Sequence, residues 1–126
     1  MILVFGGAYQ GKLKYALDTF KSSKNDVLFI DSETESLTTD KKIIYGLEVL
    51  TYEMSKNGVD VETYFDDSLK ILSDKIIICN DISQGVVPMD DVERLWRENN
   101  GRAMNKISQM ATEVHRVFCG IGERIK

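Results

Sequence analysis

Hydrophobic residues in this 126-residue chain gather into short runs and into spaced stripes, and the two patterns alternate. The runs occupy residues 1–5 (MILVF), 27–30 (VLFI), 76–79 (IIIC) and 114–119 (VHRVFC). Three of them are unbroken, the pattern of strands buried on both faces, as in a parallel sheet with helices above and below. Between them the apolar positions take helical spacing. Leu13, Ala16, Leu17 and Phe20 form one stripe,. Ile43, Leu47, Leu50 and Met54 form a second, closed by Asn57-Gly58 as a helix stop,. Val61, Tyr64, Phe65, Leu69 and Leu72 make a third. Beyond Pro88, Val92, Leu95 and Trp96 open a long helical stretch that Asn99-Asn100-Gly101 interrupts and Ile107, Met110 and Ala111 resume. The polar segment 31–42 reads as a surface connector leading into a helix. This alternation predicts an α/β fold with right-handed crossovers between parallel strands. With no repeat, low-complexity tract or linker, residues 1–126 are expected to form one domain.

The strongest chemical signal follows the first run. Gly6, Gly7, Ala8, Tyr9, Gln10, Gly11 and Lys12 read G-x-x-x-x-G-K between a strand and an amphipathic helix, the setting that a phosphate-binding loop requires,. Glycines let the chain wrap closely, so that backbone N–H groups converge on phosphate oxygens. The helix start adds partial positive charge, and a lysine at position 12 reaches the terminal phosphates. Leu13 departs from the pattern, because Ser or Thr at that position offers a hydroxyl to Mg²⁺ and leucine offers none. An acid closing an apolar strand is the other expected metal-side group. Asp81 and Asp31 are the two candidates.

Charge and cysteine content narrow the classes. Sixteen Lys and Arg against twenty Asp and Glu give a formal charge of −4, which excludes a broadly basic nucleic-acid coat. No apolar run reaches the ~18–20 residues of a membrane span. Residues 1–7 lack a basic leader, so no signal peptide is expected. Cys79 and Cys119 suit neither a disulfide framework nor a CxxC metal site. A reduced, cytoplasmic protein is the expectation.

The C-terminal third carries a series of short motifs in a fixed order. These are Asn80-Asp81 after an apolar run, Gly85-Val86-Val87-Pro88, Arg94 to Arg97 with Trp96, Gly101-Arg102 with Asn105, and a tail from Gly120-Ile121-Gly122 to Lys126. Together with the opening ILVFGGAYQGK they resemble the bifunctional adenosylcobinamide kinase/adenosylcobinamide-phosphate guanylyltransferase family of cobalamin biosynthesis. The resemblance implies a P-loop-type three-layer sandwich with a mostly parallel central sheet, reduced in size. It implies ATP or GTP at the loop from Gly6 to Leu13, a corrinoid acceptor and homo-oligomers. Within it, Lys12 would stabilise the transferred phosphoryl group, and Asp81 would help to position Mg²⁺.

Departures from the family pattern bear on activity. The family's guanylylated histidine follows the second strand, yet this chain has no histidine before His115, which falls inside the last apolar run. Tyr9-Gln10 replace Arg-Ser, the middle segment is short, and the apolar strand with an Asp-Cys-Leu signature is missing. Covalent guanylyl transfer needs an activated nucleophile, so that activity is expected to be lost. Two functions then stand: a cobinamide kinase using ATP or GTP, or an inactive nucleotide- or corrinoid-binding protein that regulates or assembles with others. Arg94 and Arg97, three apart, either clamp an anion or pair with Asp90, Asp91 or Glu98. Trp96 is expected in the core or at a subunit contact, and Asp66-Asp67 on an exposed helix face. Asn80 and Asn105 are expected in partly buried segments, to satisfy backbone groups or to touch nucleotide.

Overall fold

A computed structural model of the chain describes residues 1–83 and 85–126. Strands β1 (Ile2–Gly6), β2 (Val27–Phe29), β3 (Ile43–Tyr45), β4 (Ile76–Asn80), β5 (Glu113–Phe118) and β6 (Ile121–Arg124) form one sheet in the order β2-β3-β4-β1-β5-β6. The first five run parallel, and β6 returns antiparallel to β5. Unbroken runs such as residues 76–79 are buried because helices cover both faces,.

Strand alternation divides the core in two. Leu3, Ile44, Ile77, Cys79 and Val114 point towards α2 (Leu47–Asn57), α3 (Val61–Asp67) and α5 (Asp91–Met110), where Leu47, Phe65, Ala103 and Ile107 meet them. Val4, Val27, Ile43, Ile76, Ile78 and Val117 point the other way, towards α1 (Lys12–Thr19) and its Leu13, Ala16 and Leu17. The fold is therefore α/β in three layers with a mostly parallel central sheet, as expected.

The elements differ from expectation in several places. Ile43 belongs to β3, not to the helix, which begins at Leu47. Its spacing from Leu47 suits a helix, but β2 and β4 flank Ile43–Tyr45 and turn a run of β-branched and aromatic residues into an inner strand,. Gly46 separates the two elements at φ 97°, where a side chain is strained,. The segment 31–42 consequently leads into a strand, and its Leu37 is 1% exposed, an anchor in the core. The third stripe splits at Ser68 into α3 and the short α4 (Leu69–Leu72). Asn99-Asn100-Gly101 does not interrupt α5, which runs unbroken for 20 residues with Asn99 and Asn100 buried. The last apolar run starts one residue early as β5, and the basic tail contains a strand, β6.

The carboxyl ends of β1 and β5 meet closely. A Cβ on Gly6 would lie 2.3 Å from the carbonyl oxygen of Val117. Gly6→Ala must therefore push β5 from β1 where the glycine loop begins. It is expected to destabilise the fold by about 1–3 kcal/mol, the range for overpacking. Urea unfolding measures this, and an unchanged midpoint would contradict the close approach.

Candidate functional site

The glycine loop links β1 to α1 at the carboxyl end of the sheet, where open α/β folds place their ligands,. Its shape follows from two left-handed residues, Tyr9 at φ 58° and Gly11 at φ 85°. Gln10 ties it to the β5–β6 turn: its carbonyl accepts from Gly120 N–H at 2.8 Å, and its side-chain oxygen accepts from Cys119 N–H at 2.7 Å. No side chain caps the start of α1, and no acid sits in its first turn. The backbone donors and positive dipole end are thus left for an anion. Leu13 packs its side chain into the core on the α1 face.

Lys12 is 4% exposed and folds back over the loop, donating from Nζ to the Gly7 carbonyl at 2.6 Å. Burial lowers its pKa below the usual lysine value, and the negative charge of Glu48 opposes the shift. A buried ammonium held against a glycine loop is poorly solvated by water, so phosphate oxygens are strong replacement partners.

Two clefts flank the loop. One, of about 320 Å³, lies towards β3 and β4 and is lined by the loop residues Ala8 to Gly11, by Lys12, Leu13 and Lys14, and by Tyr45 and Asn80. The other, of about 200 Å³, lies towards β5 between Gly6, Gly7, Gln10, Asp81, Arg116 and Phe118. Asp81 lines the β5-side cleft. Its N–H donates to the Gly6 carbonyl at 2.8 Å, and its Oδ1 accepts from Ser83 N–H at 2.9 Å. Asp31 is exposed beyond edge strand β2, where Oδ1 accepts from Glu33 N–H at 2.9 Å and forms a local turn,.

The acid nearest to this arrangement in effect is one that periodicity did not single out. Glu48, in the first turn of α2, is buried, and its two oxygens accept from Asn80 N–H and Asn80 Nδ2, both at 2.9 Å. Asn80 is held from its other side too, because Asn100 Nδ2 donates to the Asn80 carbonyl at 3.1 Å. Thr51 Oγ1 in turn donates to Asn100 Oδ1 at 2.9 Å. Trp96 is half-buried, donates to the Glu48 carbonyl at 2.8 Å and meets the Tyr52 ring edge-on. This network fixes the end of β4 beside the Lys12 cleft. A carboxylate flanked by apolar residues two positions after a glycine, within an apolar stripe, was the available signal.

The other candidates make contacts within the fold. Arg97 donates to the carbonyls of Ile82, Gly85 and Val86 and fastens the segment before α5. Arg94 pairs with Asp91, and Arg102 with Glu98. Asn105 is exposed, not partly buried. Asp66 and Asp67 are exposed as expected, and Asp66 bonds Lys106 of α5 at 2.7 Å. His115 is 6% exposed on β5 beneath α1, where its Nδ1 lies 2.8 Å from the Tyr15 hydroxyl.

Asp81, in the β5-side cleft, is the carboxylate beside the loop that could face a Mg²⁺ carried by phosphates,. Leu13 has no oxygen, both Glu48 oxygens are engaged by Asn80, and the described residues contain no cluster of three or more metal-ligating His, Cys, Asp or Glu. Among the described residues no helix is long and apolar enough to cross a membrane.

Sheet order, layers and a glycine loop at the carboxyl end of an inner strand define an α/β sandwich of the P-loop type. The sequence matches a family model for cobinamide kinase / cobinamide phosphate guanyltransferase over residues 35–125. The chain belongs to that family. The match begins beyond the glycine loop, so the loop rests on its own geometry. No curated protein is significantly similar to the chain.

Proposed function

We propose that the protein binds ATP or GTP at the glycine loop from Gly6 to Leu13 and phosphorylates a hydroxyl of cobinamide. The observation that carries this is Lys12, buried and held over Gly7 at the uncapped start of α1. Loop amides would hold the inner phosphates, and the Lys12 ammonium would draw charge from the terminal one as it transfers. The acceptor hydroxyl oxygen forms a bond to the terminal phosphorus and gives up its proton to solvent, while the bridging P–O bond breaks and leaves the nucleoside diphosphate. Asn80, fixed by Glu48 and Asn100, would orient groups in the same cleft.

Guanylyl transfer is absent in this proposal. His115 is the chain's one histidine, and its burial beneath α1 withholds it from a nucleotide. Incubation with labelled GTP is expected to leave no stable protein–GMP adduct; an adduct would overturn this. Self-association belongs to the same proposal, supported by Val86 and Met89, which stand exposed before α5.

Calorimetry with Mg·ATP and Mg·GTP, followed by transfer of labelled terminal phosphate to cobinamide, tests the main proposal. Binding with turnover is expected. Binding without turnover would favour the inactive nucleotide-binding protein, a reading that Leu13 supports. No binding would remove both.

A further inference from the structure

The two faces of the sheet are unequally covered. Four helices, α2, α3, the short α4 and α5, pack on one, whereas the face beneath the glycine loop carries only the eight-residue α1. So short a helix spans ~12 Å, and the carboxyl ends of β2 and β3 lie beyond its cover. Val27 and Ile43, register partners on this face, are buried. Two residues further along the same strands, Phe29 is 48% exposed and Tyr45 half-buried. They are again register partners, with ring centroids 5.5 Å apart. An aromatic ledge therefore opens at the carboxyl end of the sheet and runs into the Lys12 cleft, which Tyr45, Lys14 and the fully exposed Tyr9 also line.

We propose that the Phe29–Tyr45 pair is the seat for the ring system of the phosphoryl acceptor, a wide, flat, conjugated macrocycle bearing a hydroxyl-ended side arm. This rests on the phosphoryl transfer proposed above. The direction of the bound nucleotide assigns the ledge. Loop amides take the inner phosphates and the lysine takes the outer ones, so the transferred group lies in the cleft that contains Lys12. An acceptor must enter there. The nucleoside end is then directed to the β5-side cleft, between Gln10, Arg116 and Phe118. Size agrees: at ~4.8 Å per strand, β3 lies ~10 Å and β2 ~14 Å from β1. That reach suits a macrocycle with an arm extended towards Lys12. Phe29 and Tyr45, tilted 56° to one another, offer it apolar ring contacts, and burial, Glu48 and Tyr9 raise the pKa of the Tyr45 hydroxyl.

The test uses the full chain, with dicyanocobinamide followed by equilibrium dialysis and ATP by calorimetry. Phe29 is an exposed edge-strand residue, so Phe29→Ser is compatible with folding, which thermal unfolding checks. Phe29→Ser is expected to weaken dicyanocobinamide binding about tenfold, from the lost ring contact, with ATP affinity unchanged. Phe29→Tyr should restore wild-type binding. Unchanged dicyanocobinamide affinity in Phe29→Ser would overturn the proposal. So would a parallel loss of ATP affinity, which would make the ledge a base seat, or a wild-type protein that binds ATP but no dicyanocobinamide. Failure of the wild-type protein to bind ATP or GTP would instead defeat the function assigned to the glycine loop.

Discussion

Lys12→Met is expected to weaken ATP and GTP binding by about 10- to 100-fold, the range for losing charge-assisted hydrogen bonds of about 1.5–3 kcal/mol. Thermal unfolding should change little. The ammonium is desolvated and makes one hydrogen bond, to the Gly7 carbonyl, whereas methionine keeps the apolar stem without a charge to bury. Calorimetry and a melting curve on the same preparation separate the two effects, and equal affinity in the variant would remove Lys12 from the phosphate site.

Proton linkage gives a second readout of the same residue. Burial lowers the Lys12 pKa, so between that lowered value and the ordinary 10.5 the unfolded chain binds more protons than the folded one. Lys12 therefore makes the unliganded fold more stable as pH rises through that window. Phosphate binding runs the other way, because it favours the ammonium. Affinity should decline with rising pH before the ordinary lysine range is reached, and binding there should take up protons. Calorimetry in buffers of different ionisation enthalpy measures the uptake, which should vanish in Lys12→Met.

Glu48→Ala is expected to cost about 2–4 kcal/mol. It leaves two partly buried donors of Asn80, the backbone N–H and Nδ2, without their acceptors, at about 1–3 kcal/mol each,. For a domain of this size the melting temperature should fall by roughly 10 °C. Glu48→Gln retains an acceptor oxygen and should fall less. Both variants also remove the charge that favours the Lys12 ammonium, so the decline of nucleotide affinity with pH should start lower still. A melting temperature unchanged in Glu48→Ala would show that Asn80 does not depend on this carboxylate.

The glycine loop was legible because each of its determinants is local. An apolar run, glycines able to adopt positive φ and an amphipathic stripe lie within twenty residues, and none needs a distant partner. The inner strand β3 was not legible in the same way. Ile43 fits the helical spacing of Leu47, Leu50 and Met54, and only β2 and β4 on either side make it a strand. Asn99-Asn100-Gly101 misled for a related reason. Two asparagines and a glycine favour turns in isolation, yet Asn100 is buried and bonded to Thr51 and Asn80 from neighbouring elements,. Family membership was legible in the ordered motifs from Asn80 onwards, and these, save for the last residue of the tail, lie within the matched residues 35–125.

The sequence by itself determined the α/β class, the strand–loop–helix around Lys12 and the family, because periodicity, backbone freedom and motif order act along the chain. Only the tertiary structure decided how the acids lie around the loop. Placing β4 beside β1 brings Asn80 to the lysine, and packing α2 and α5 over β4 delivers Glu48 and Asn100 to hold it. The chain leaving β4 carries Asp81 to the lining of the β5-side cleft, and the sheet order leaves Asp31 at an edge. Contacts among positions 12, 48, 80 and 100 depend on which strands pair, and no local pattern encodes that choice.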